Sequence, residues 1–118
     1  WGKASFKPGA SGIAPAWADA LEPCRPEQTR VTRAFSGRAG RSLATRYTIA
    51  AAADDAPEPA PYPVQRGLTQ AMRSEAARAG DIERMQAWAG QSAALAKARP
   101  AADTLQQVWT DAQAILAA

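Results

Sequence analysis

The chain has 118 residues, enough for one small domain and too few for two. Apolar residues make up 47%, but 31 of the residues are Ala, which leaves 24 larger apolar side chains and a thin core. Histidine is absent, Cys24 is the one thiol and no apolar run approaches the roughly 18 residues of a membrane span; this excludes Ser-His-Asp and Cys-His catalysis, most zinc sites and an internal disulfide framework.

In chain order, residues 3–6 (KASF) read as the end of a strand, and Pro8, Gly9 and Gly12 force a loop. Ser11 to Leu21 is expected to be a short helix, with Pro15 in its first turn and Trp17 and Leu21 sharing a face. Thr29–Phe35 alternates like a strand with Val31 and Phe35 on one side, and Ser36-Gly37 ends it. A helix is expected from about Ala39 to Ala53, with Leu43, Tyr47 and Ala50 on one face. Residues 54–63, DDAPEPAPYP, hold four prolines and are expected to form a stiff extended connector. The connector separates a basic half from an acidic one: residues 1–50 carry eight bases and three acids, residues 51–118 six bases and eight acids, for a net +3.

Three helices are expected after the connector. Gln65–Ala79 has Leu68, Met72 and Ala76 at four-residue spacing and Gly80 as its C-cap. A second runs from Asp81, its cap, to about Ala98, with Ile82, Met85, Ala89, Ala93 and Ala96 on its face. Pro100 stops it. The last starts at Ala101 or Ala102 and carries an apolar stripe of Leu105, Val108, Trp109, Ala112, Ile115 and Leu116. The fold class is mainly α with one or two short strands (α+β).

Candidate chemistry is sparse. Arg30, Arg33, Arg38, Arg41 and Arg46 form a basic face that suits phosphate or nucleic acid, or else a solvated surface bridged to the acidic half; only Phe35 and Tyr47 accompany it, too few for base stacking. In Trp88-Ala89-Gly90-Gln91-Ser92, a Gly inside the expected helix costs about 1 kcal/mol against Ala. Close approach of a ligand, met by Gln91 and Ser92, and helix–helix packing explain it equally. In Trp1-Gly2-Lys3-Ala4-Ser5, a Gly at a strand end can expose backbone N–H groups to a phosphate, against a frayed terminus. Cys24 between Pro23 and Arg25 has no His or second Cys beside it and reads as an incidental thiol of a reducing, cytoplasmic setting.

Taken together, the segments SGIAP (11–15), TRVTRAFSGRAGR (29–41), APYPVQRGLT (60–69) and MQAWAGQS (85–92) resemble the C-terminal part of class I nitronate monooxygenases, formerly 2-nitropropane dioxygenases. The resemblance implies an FMN-dependent oxidoreductase. Its fold is a (β/α)8 TIM barrel with a small helical domain, and it oxidises alkyl nitronates with O2 to carbonyl compounds and nitrite without metal. A barrel takes roughly 250 residues, so the chain is expected to be a terminal fragment of such a flavoprotein. Residues 1–28 would be the remnant of the last barrel strand and helix, and 29–118 the small helical domain with one short strand at its start.

The resemblance also assigns residues. The catalytic His would lie upstream, in the missing N-terminal barrel, so no catalytic residue is expected in this chain. Gly2 matches the Gly of a phosphate-holding Gly-Thr pair, and Lys3 stands where the Thr would be. Trp88, Gly90 and Gln91 match a WAGQ element expected at the flavin and substrate cleft, and Tyr62 is expected to support packing on the barrel. The fragment alone is expected neither to turn over nor to retain FMN. No membrane is expected as a partner. The alternative is a small basic helical module binding nucleic acid through the Arg30–Arg46 face.

Overall fold

The computed structural model describes residues 12–117. The expected strand at 3–6, the helix start at Ser11 and the phosphate-binding candidates Gly2 and Lys3 lie outside the described residues. Helix α1 spans Pro15–Leu21, with Pro15 at its first position, where a missing N–H costs nothing. Strand β1 is Thr29–Thr32 and pairs antiparallel with β2, Gly40–Leu43, in the register Thr29 to Leu43 and Thr32 to Gly40. Helix α2 is Arg46–Ala50, α3 Val64–Leu68, α4 Gln70–Ala79 and α5 Ala101–Leu116. The proline-rich connector carries no helix or strand between α2 and α3.

Four expectations change. The strand stops at Thr32: Val31 is exposed, and Phe35 turns inward from the following turn. The helix expected over 39–53 is a strand followed by the short α2. Residues 40–43 are held on both edges, by β1 and by residues 87–89, where Leu43 N–H donates to the Ala87 carbonyl (3.0 Å) and Ala89 N–H to the Arg41 carbonyl (3.1 Å). Pairing on two sides overrides helical spacing. The helix begins only at Arg46, where Thr45 and Thr48 form a reciprocal cap: Thr45 N–H donates to Thr48 Oγ1 at 2.9 Å, and Thr45 Oγ1 accepts from Thr48 N–H.

The helix expected over 65–79 is two helices broken at Thr69, whose hydroxyl donates to the Phe35 carbonyl at 2.6 Å. Gly80, in the left-handed region, caps α4 as expected. The helix expected from Asp81 to Ala98 does not form. Asp81 accepts from Glu83 N–H and Arg84 within a turn, and residues 87–89 lie extended along β2. Its apolar residues are nonetheless buried: Met85, Ala87, Ala89, Ala93 and Ala96 join Leu21, Cys24 and Leu43 in the core, with Trp17 and Ile82 packed against them. Among the described residues, no helix is long and apolar enough to cross a membrane.

Candidate functional site

Phe35 is where the separate motifs meet. Its ring is fully buried, 5.1 Å from Tyr47 and 5.9 Å from Trp88, the latter edge-on. Backbone carbonyls on either side of the ring's own residue gather the next motif. Ala34 O accepts from Tyr47 Oη (3.1 Å) and from Gln65 Nε2 (2.6 Å), while Phe35 O accepts from Thr69. The turn after Phe35 presses on the connector. Gly37 has φ +84°, and a Cβ there would lie 2.5 Å from the Ala60 carbonyl oxygen and 2.6 Å from the Tyr62 nitrogen. Only glycine fits that conformation and that gap. Beside it the Arg38 guanidinium lies 4.1 Å above the Tyr62 ring, a cation–π contact.

Trp88 is fixed on three sides. It bridges Ser42 across β2, its ring rests where a Cβ on Gly40 would approach within 2.8 Å, and its carbonyl accepts from Trp17 Nε1 at 3.1 Å. The residues after it are different. Gly90 follows an extended segment, not a helix, and the space around a Cβ at this position is open to 4 Å. Nothing within the described chain requires a glycine there. Gln91 and Ser92 are exposed on the same turn. Thus the structure brings Trp88 into the Phe35 cluster, and leaves Gly90 and Gln91 presented outward from it.

The Arg30–Arg46 face is largely engaged within the chain. Arg33 donates to the Gly37 carbonyl (3.2 Å), Arg41 to Thr29 Oγ1 (3.1 Å), and Arg46 lies 3.8 Å from Glu83, while Arg38 covers Tyr62. A residue that sequence reasoning passed over is Arg73. It donates to Gln86 Oε1 (2.7 Å), Thr69 Oγ1 (3.1 Å) and the Arg66 carbonyl (2.9 Å), on the wall of a groove of about 350 Å³ that Trp17 and Met85 also line. Burial, and then the nearby Arg66 charge, lower its pKa. Burial raises the Tyr47 phenol, partly offset by Arg73, and burial also raises the Cys24 thiol, which makes it a poor nucleophile. Among the described residues no group of acids, Cys or His could hold a metal ion.

The arrangement therefore offers neutral donors and an open backbone at 90–92, next to the aromatic cluster of Phe35, Tyr47 and Trp88. Gln65, Thr69 and Trp17 also escaped sequence reasoning. They sit in helical patterns whose spacing gives no hint that their polar atoms reach a carbonyl far along the chain. Gly37 did carry a signal, the Ser-Gly turn, but only for the turn and not for the connector behind it.

A family profile described as nitronate monooxygenase matches residues 10–111. The nitronate monooxygenase of Paraburkholderia phytofirmans is 40% identical over 81 residues, covering 69% of this chain and 22% of that protein. The nitronate monooxygenase of Pseudomonas aeruginosa is 37% identical over 91 residues, covering 77% of this chain and 26% of its own length. In structure, the nitroalkane oxidase from Streptomyces ansochromogenes superposes with a TM-score of 0.73 at 36% identity, covering 89% of this chain and 30% of that one. The chain thus spans about a quarter of the length of the curated relatives it matches.

Proposed function

The chain belongs to the nitronate monooxygenase family, and from that premise we propose that it serves as the C-terminal part of a cytoplasmic, FMN-dependent nitronate monooxygenase. In this reading a (β/α)8 barrel in the remainder of the polypeptide carries the catalytic His and most of the flavin site. Residues 1–28 come off that barrel, and 29–118 form the small domain that closes over the cleft. The observation that carries the reading is the open turn at 90–92, held out from the Phe35 cluster by the fixed Trp88.

FMN, when bound, supplies the redox chemistry between nitronate and O2. The residues of this chain hold and orient. Gln91 and Ser92 offer neutral donors suited to the polar edge of a flavin ring or to a nitronate oxygen, and Gly90 lets the backbone approach. Gly2 and Lys3 would meet the phosphate, Lys3 as a point charge where the family has a hydroxyl. Tyr62, pinned under Arg38, supports the packing of the connector against the barrel.

The test is a fusion of this chain behind the N-terminal three quarters or so of the Paraburkholderia phytofirmans enzyme, assayed for flavin content and nitrite release. The fusion is expected to be yellow and to release nitrite, and the 118-residue chain alone to be colourless. Stoichiometric flavin on the chain alone would overturn the reading. Within the fusion, Gln91→Ala removes one neutral hydrogen bond and is expected to weaken flavin or nitronate binding about fivefold, equivalent to about 1 kcal/mol.

A further inference from the structure

Helix α5 has no buried residue along its 16-residue length, although one side of it is apolar. Leu105, Val108, Trp109, Ile115 and Leu116 are all more than half exposed. With Ala112, and at about 100° per residue, they fall within an arc of about 120°. An apolar stripe of this kind is a face that something covers.

A second copy suits it poorly. The helix offers two heptads where a coiled coil needs about three or four. It also carries two acids and no base, and Asp111 borders the stripe, so two copies set face to face gain no charge complementarity. The length of related chains points elsewhere. The family match runs into α5 as far as residue 111, and the relatives are about four times longer than the part this chain covers. The first half of the stripe, Leu105, Val108 and Trp109, therefore lies in a region shared with proteins that carry far more polypeptide to cover it.

We propose that the α5 stripe is the docking face for the larger remaining part of a family enzyme, the barrel of the reading above, on which this inference rests. The partner surface is apolar, with a neutral or basic rim where it meets Asp111 beside the stripe.

Cysteine accessibility tests it, because Cys24 is buried and adds little background. Ala112→Cys lies in the stripe, and Gln107→Cys lies on the opposite side. In the 118-residue chain both are expected to react rapidly with a maleimide. In the fusion described above, Ala112→Cys is expected to slow at least about tenfold and Gln107→Cys to stay fast. Equal rates in a fusion that holds flavin would overturn the docking face and leave the functional reading standing. Slowed reaction without flavin would support the docking face and count against that reading, and equal rates without flavin would overturn both. Protection in the chain alone that grows with concentration would assign the stripe to a second copy and overturn the proposal. A second variant guards against a fusion that fails to fold. Val108→Asp in the chain alone is expected to leave the melting temperature unchanged, and a lower one would place the stripe inside the chain and overturn the proposal.

Discussion

At the scale of single residues, the glycines of the motifs divide by what surrounds them. Gly37 is locked by a positive φ and by backbone atoms of the connector that have no freedom to retreat. Gly37→Ala is expected to cost upwards of about 2 kcal/mol in denaturant unfolding, combining strain with displacement of the connector. Gly90→Ala meets open space, and its effect on the chain's stability is expected to stay within about 0.5 kcal/mol, so a larger change in flavin binding by the fusion would speak for the proposed contact. Tyr47 gives a pH signature. Its phenol donates to the Ala34 carbonyl and burial holds its pKa above the ordinary value near 10. The folded chain therefore keeps the proton that the unfolded chain releases first. That stabilisation is complete below pH 10 and is lost as the pH rises through the folded value. Tyr47→Phe is expected to remove this part of the alkaline destabilisation while costing about 1 kcal/mol at neutral pH, because Gln65 still satisfies Ala34.

At the scale of elements, β2 is central because it is paired along both edges. Ala89→Pro deletes the donor to the Arg41 carbonyl and is expected to cost about 3 kcal/mol, measured by denaturant midpoint. Thr45→Ala removes the hydroxyl that accepts from Thr48 N–H, one half of the reciprocal cap of a five-residue helix, and should cost about 1 kcal/mol by the same measurement. These two sites also explain what the sequence made legible. Proline at the start of α1, Gly80 after α4, the connector and the last helix all carry local chemistry, and all were readable. Residues 40–43 and 87–89 carry none: GRSL and AWA have no strong strand preference, and each becomes extended only because a distant segment supplies hydrogen-bond partners. The burial of Met85, Ala89, Ala93 and Ala96 was foreseeable from their apolar character, while the helix drawn through them was not present. The candidate site divides the same way. The motif singles out Trp88, Gly90 and Gln91 as candidates, but their split into an anchored tryptophan and an open turn depends on Gly40 and Trp17, which no spacing connects to them.

At the scale of the whole molecule, the thin core expected from 24 large apolar residues is real, and it is organised around few side chains. Phe35, Thr48 and Ser42 are the largest that are fully buried, and much of the remaining core is alanine. Phe35→Ala, at about 3–5 kcal/mol, is expected to unfold the chain outright, seen as loss of near-ultraviolet circular dichroism. The two edges of β2 also differ in how far along the chain their partners lie. One edge of the strand is filled by β1 within a dozen or so residues of chain, but the other waits for Ala87, about 44 residues after Leu43. Pairing of the second edge therefore closes the longer loop, costs more chain entropy than the β1 hairpin, and ties residues 40–43, the connector and residues 87–89 into one cooperative unit.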